Sequence, residues 1–324
     1  MKKLFASFEG ALAAVAFAVA ATNAGAQAYP NKPVKIIVAY QAGQGTDIAT
    51  RYFAEQLTKA LGQSFYVENK PGAGGNLGTE AAARSAPDGY TLTMGTNATH
   101  ATNQFLYPSV PFDAEKDFEP VILIGSFPMV LAANPAFPGN SVPELLAAVK
   151  SNPKSADIAM PSTTARIVFE FFKAQTQAPL FGVPYKGSAT AMAEAMGGQV
   201  PLIIDTVTAA RPLVASGKLK AIAVTSLKAT ELLPGVKPVA EQGLPGFEVI
   251  AWNALYAPKG TSREIVALLN AELNKIMARP ETRQKLLSMG YDAGGGSPEY
   301  LAEFGRNERR KWGPLITTAG IRAE

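Results

Sequence analysis

The sequence predicts an α/β protein of two lobes, each a mixed sheet flanked by helices. Three observations carry this. Strand-like and helix-like segments alternate almost to the end of the chain, the pattern of a largely parallel sheet with helices on both faces. The chain has 324 residues, about two domains at roughly 150 residues each. Hydrophobic residues make up 47% and charged residues 17%, enough to fill a core and far from the profile of disorder.

The chain opens with an export signal. Lys2 and Lys3 precede an apolar stretch from Gly10 to Ala21, and Ala24-Gly25-Ala26 supplies the small-x-small pattern of a cleavage site, with cleavage near Ala26. The apolar run is well short of the ~20 residues that span a bilayer. No cysteine follows it to carry a lipid, so a free periplasmic protein is expected.

Val34–Tyr40 reads as a buried strand, followed by a Gly-rich turn. The next helix carries Ile48, Tyr52, Phe53, Leu57 and Leu61 on one face. Further strands are expected at 64–68, 91–95, 121–125, 129–133 and 157–160. Others are expected at 181–185, 201–205, 220–225 and 248–257. Ser141-Val142-Pro143-Glu144 and Thr261-Ser262-Arg263-Glu264 match the capping box. Ser297-Pro298 places proline at a first helical position, and Gly197 and Gly217 sit where helix ends need a left-handed residue. The last ~65 residues read as helical, with Ile265, Leu269, Leu273 and Ile276 in one stripe and Leu301, Phe304 and Trp312 in another. Crossings between lobes are expected near Gly125–Phe127 and Val249–Ala251. Residues 1–26 are then the signal peptide, 27–125 with 251–324 a discontinuous first lobe, and 126–250 the second.

Several function classes drop out. Net charge is +4, from 30 Lys+Arg against 26 Asp+Glu, with no basic cluster, so no nucleic-acid partner is expected. Cysteine is absent and His100 is the single histidine, which removes thiolate chemistry and HExxH zinc sites. Gly72–Gly78 fails the dinucleotide fingerprint because Leu77 stands at its sixth position, and Gly182–Gly187 fails as a phosphate loop because Ser188 stands where lysine is needed. No G-x-S-x-G occurs, and His100 reads as a surface or helix-start residue. No enzyme, metal or cofactor is expected.

What remains is a set of helix starts suited to anions. Gln41–Asp47 joins a strand to a helix, at the carboxyl edge where ligands bind in such folds. Its glycines let peptide N–H groups approach a ligand, and the helix adds the positive end of its dipole. Asp47 either caps that helix or orients a ligand group or water. Val183–Ala189 repeats the design before a helix at 190–196, with Gly187 and Ser188 as donors and Lys186 solvated. Pro161-Ser162-Thr163-Thr164 is a third start, where Arg166 is either solvated or a bidentate clamp for a carboxylate.

The motifs in order then resemble a known family. They are Tyr29-Pro30-Asn31-Lys32-Pro33, Ala42-Gly43 with Thr46-Asp47, Val67–Gly75 (VENKPGAGG), Pro87–Leu92 (PDGYTL) and Pro184-Tyr185-Lys186-Gly187-Ser188. Gly197-Gly198-Gln199-Val200, Ser216-Gly217-Lys218-Leu219, Glu241–Phe247 (EQGLPGF) and Trp252 complete the series. The chain resembles the Bug-type periplasmic solute-binding proteins of tripartite tricarboxylate transporters. The resemblance implies a two-lobed Venus flytrap of the type II periplasmic binding-protein architecture. It also implies an organic acid held between the lobes and delivery to the transporter's membrane subunits. It maps the loop ending at Asp47, then Thr96-Asn97 and Gly187-Ser188-Ala189, onto the cleft; Asp205 maps near the cleft or serves as a helix cap. The candidate ligand-binding set is therefore Tyr40, Gln41, Ala42, Gln44, Gly45, Thr46, Asp47, Thr96 and Asn97 from the first lobe. From the second it is Ser162, Thr163, Thr164, Arg166, Tyr185, Gly187, Ser188, Ala189 and Asp205. Gln41 and Gln44 replace the family's usual proline and glycine, and Pro161-Ser162-Thr163-Thr164 with Arg166 replaces a glycine-containing stretch. These extra donors suit a polar or doubly charged acid. A monomer is expected. The alternative readings are a ligand-presenting partner of a sensor kinase and an exported hydrolase or isomerase.

Overall fold

The computed structural model describes residues 29–153 and 156–323; the export signal expected at 1–26 lies outside the described residues. The first lobe begins as a parallel unit. β1 (Val34–Val38) lies between β2 (Phe65–Asn69) and β3 (Thr91–Thr96), in register Val34 to Phe65 and Lys35 to Thr91. Helix α1 (Gly45–Leu61) links β1 to β2, and α2 (Asn76–Ala83) links β2 to β3. Phe53 and Leu57 of α1 are buried in the same core as Val34, Ile36 and Val38, each contributing about 2 kcal/mol by leaving water. Gly62 closes α1 in the left-handed conformation.

After the one-turn helix α3 (Asn103–Leu106), the chain enters β4 (Phe118–Ala133), which is 16 residues long. The sequence reads as two strands here, interrupted around Ser126–Pro128; the structure shows one. Over Phe118–Pro128 it pairs antiparallel with β9 (Ile250–Pro258), and over Met129–Ala133 with β7 (Leu202–Thr206). β8 (Lys220–Val224) also joins its second half, pairing with Val130–Ala133. The second lobe adds α4 (Val142–Ser151), β5 (Asp157–Met160), α5 (Thr163–Thr176), β6 (Phe181–Pro184), α6 (Ser188–Gly197) and α7 (Val207–Ala215). There β5 pairs parallel with both β6 and β7. The strand order is β2-β1-β3-β9-β4-β7-β5-β6, with β8 and β10 (Asp292–Gly295) also on β4. Beyond β9 come α8 (Arg263–Ala278), α9 (Pro280–Met289) and α10 (Pro298–Thr318).

Four expectations are corrected. The C-terminal region is not wholly helical, because β10 pairs with β4 through Asp292–Ser126 and Gly295–Leu123. The left-handed residue after α6 is Gly198, with Gly197 the last helical residue. Ser262, not Thr261, caps α8, accepting from Ile265 N–H; the Thr261 hydroxyl instead donates to the Pro258 carbonyl. Fourth, α6 begins at Ser188 and not at residue 190, which places Ser188 and Ala189 in its first turn. Among the described residues, no helix is long and apolar enough to cross a membrane.

Candidate functional site

The site forms where β1, β3, β5, β6 and β7 end. After β1 the chain turns through Tyr40–Gln44, with Gln44 N–H donating to the Gln41 carbonyl and Gly43 at φ +84°. The Asp47 carboxylate fixes this turn. It accepts from Gly43 N–H at 2.9 Å, from Arg51 Nε at 3.0 Å and from Asn69 Nδ2 at 2.9 Å. Burial acts to raise its pKa, but these three donors outweigh burial and hold the carboxyl below its ordinary range. Asp47 is thus occupied by its own loop and shapes the helix start.

The N-terminus of α1 is held from beneath. Asn253 Nδ2 on β9 donates to the Thr46 hydroxyl at 3.2 Å, and the Tyr291 hydroxyl donates to Asn253 Oδ1 and, at 3.4 Å, to the Gly45 carbonyl. Gln44 occupies the cap position but makes no side-chain cap bond. Across the cleft, α6 starts after Gly187, also without a side-chain cap. The neighbouring helices differ: Ser162 caps α5 by accepting from Ala165 N–H, and Thr206 caps α7 by accepting from Ala209 N–H. Two of the four helix starts are therefore closed by their own side chains, and α1 and α6 keep first-turn N–H groups and positive dipole ends for a guest.

Both open starts border one small inner chamber of about 30 Å³, lined by Gly45 and Thr46 on one side and Ser188 and Asp205 on the other. Tyr40, Gln44, Thr96, Asn97, Ser162 and Thr164 complete its polar wall. The Tyr40 and Thr96 hydroxyls share a hydrogen bond at 2.8 Å, and burial pushes the Tyr40 phenol up to about 12, so it stays neutral. The lobes touch here. Gln44 Nε2 donates to the Pro161 carbonyl at 3.2 Å and the Thr164 hydroxyl to Asn97 Oδ1 at 3.2 Å. Four buried polar atoms in this wall have no partner: Gln44 Oε1, Asn97 Nδ2, Ser188 Oγ and Asp205 Oδ2. Unpaired buried polar atoms are rare and costly. Asp205 is 2% exposed. Its Oδ1 accepts from Thr206 N–H at 2.6 Å. Burial raises its pKa to about 6, with Ser188 and Thr206 pulling the other way.

A larger outer chamber of about 470 Å³ adjoins the inner one, sharing Tyr40 and Ser162. Gln41, Thr163, Arg166 and Tyr185 line it, with Lys186 and the Gly72–Gly75 turn. Arg166 lies in the first turn of α5, half-buried, its Nε 3.9 Å from Glu170 Oε1 and without a hydrogen bond. Tyr185 turns its hydroxyl to Glu194. Of the remaining expected residues, Asp47, Ala42, Gly187 and Ala189 border neither chamber; Ala42 and Ala189 are exposed, and Gly187 packs against the Gln41 side chain.

Sequence reading missed the chamber floor: Phe127 and Met129 of β4, Ala251 and Asn253 of β9, and Thr206. Trp252 belongs there too and figured only as a family motif. His100 stands at a helix start, in the short turn Ala98–Thr102 after β3, but it is a core residue and not a surface one. It is fully buried, stacked on Tyr256 at 4.1 Å, and burial, aided by Arg309, lowers its pKa to about 3. Among the described residues no three His, Asp or Glu side chains gather into a metal-sized group.

Residues 49–321 match the family described as "Tripartite tricarboxylate transporter family receptor". The chain is 33% identical to BugT of Bordetella pertussis (strain Tohama I) over 311 residues, covering 95% of each. Among solved structures it is similar to R. palustris Rpa4515 with adipate, at TM-score 0.88 and 33% identity over 91% of this chain and 99% of the other. It is also similar to MatC from Rhodopseudomonas palustris with bound malate, at TM-score 0.82 and 31% identity over 89% and 100%.

Proposed function

Because this chain belongs to the tripartite tricarboxylate transporter receptor family, we propose that it is a periplasmic receptor that closes on a small organic acid and hands it to a tripartite transporter. One observation carries the reading: α1 and α6, from opposite lobes, turn uncapped N-termini into a single chamber walled by partnerless polar side chains. A carboxylate there would take N–H donors from both lobes, so it stabilises the closed arrangement by differential affinity. That neighbours carry adipate and malate supports the carboxylate class. The two-lobe division belongs to the same proposal, with lobe 1 as 27–125 plus 251–324 and lobe 2 as 126–250. It rests on β4 changing partners at Pro128–Met129 and on β9 starting at Ile250. The protein binds and releases its acid unchanged.

The test is a thermal-shift screen of mono-, di- and tricarboxylates. A cognate acid at a hundredfold excess over its dissociation constant adds ~2.7 kcal/mol of stability. No shift across the panel would remove the receptor reading. Delivery is read separately, by uptake of the hit acid in a strain lacking the gene.

A further inference from the structure

Donors for an acid do not account for the whole inner chamber. It also presents two acceptors that make no hydrogen bond within the protein, Gln44 Oε1 from the first lobe and Asp205 Oδ2 from the second; the Ser188 hydroxyl lies close enough to Asp205 to lower its pKa without forming a bond to it. A bare carboxylate brings acceptors alone. It would leave both atoms unpaired and set its own charge beside that of Asp205, with no lysine or arginine lining the chamber to offset it. Arg166 and Lys186 line the outer chamber instead.

We propose, resting on the receptor reading above, that the cognate acid carries a hydrogen-bond donor, a hydroxyl or an ammonium, on the carbon next to its bound carboxylate, and that Asp205 is the residue that selects it. The position follows from size. The inner chamber, about 30 Å³, holds the equivalent of two or three water-sized groups. A donor that meets Asp205 while the carboxylate sits on the helix starts must therefore be within a bond or two of that carboxylate. The strand β7 holds Asp205 firmly, because Thr206 N–H fixes Oδ1 and leaves Oδ2 as the free acceptor. A site that must hydrogen-bond a substrate group discriminates strongly against the analogue without it, since the buried acceptor is then left unpaired.

Calorimetric titration of the purified full chain with two matched series tests this: succinate, malate and aspartate, then glutarate, 2-hydroxyglutarate and glutamate. In the better-bound series, the hydroxy or amino acid should bind at least tenfold tighter than the unsubstituted acid. Which of the two wins identifies the donor. In Asp205→Asn that preference should fall below threefold while the unsubstituted acid still binds. Equal affinity across a series in the wild-type protein overturns the proposal, whether or not the variant folds, and so does a preference that survives in Asp205→Asn. If unsubstituted acids bind, the receptor reading stands even when the donor proposal fails; if no carboxylate binds at all, both fail.

Discussion

At the scale of single residues, Asp205 makes its own contribution to how stability responds to pH. Its carboxyl is raised from 3.8 to about 6 in the folded protein, so the native state holds the proton more tightly than the unfolded chain. That contribution is complete below pH ~4 and is lost as pH rises through 6. Relative to Asp205→Asn, which does not titrate, the wild type should lose on the order of 2 kcal/mol between pH 4 and pH 7. Urea melts of both proteins across that range would show it, and a constant difference would place Asp205 in contact with water. Tyr40 is the other titratable side chain lining the chamber, and it stays neutral throughout. Arg166 offers a second residue-level prediction. Its guanidinium faces the outer chamber with Nε unpaired, so Arg166→Ala should weaken a dicarboxylate by more than ~1.5 kcal/mol and leave a matched monocarboxylate unchanged. Equal effects on both acids in a titration would return Arg166 to a structural role beside Glu170.

At the scale of elements, what the sequence disclosed and what it hid have physical causes. The site loops were legible because glycines between a strand and a helix, and serines at helix starts, are local signals with local reasons. The floor of the chamber was not legible, since Phe127, Met129 and Ala251 are apolar strand residues with no ligand signature of their own. β4 read as two strands because Pro128 lacks an N–H and breaks the pattern. The structure tolerates it because it falls where β4 leaves β9 for β7. β10 was missed for a different reason. Ala293-Gly294-Gly295 has little strand propensity, yet glycine is required there: a Cβ on Gly294 would lie 2.5 Å from the Leu123 carbonyl. Gly294→Val should therefore push β10 off β4 and cost about 1–3 kcal/mol in a chemical melt. An unchanged midpoint would mean that β10 contributes little to the fold.

At the scale of the molecule, the proposed closure should be sensitive to small additions where the start of α1 faces the start of α7. A Cβ on Gly45 would stand 3.0 Å from the Thr206 hydroxyl across the cleft. Gly45→Val, with two more carbons, should hold the lobes apart. We expect the affinity for the cognate acid to fall at least tenfold, about 1.4 kcal/mol, and ligand-induced compaction in small-angle scattering to disappear. Undiminished compaction in that variant would show that closure follows another path.

The sharing of β4 between both halves also limits how such receptors diversify. Because one 16-residue strand contributes backbone pairs on either side of the cleft, a chimera exchanging whole halves between relatives must cut through a hydrogen-bonded ribbon at its centre. Loops at the strand tips carry no such burden. New solute preferences in this scaffold should accordingly be reached by grafting tips, and engineering that trades entire halves should yield insoluble hybrids.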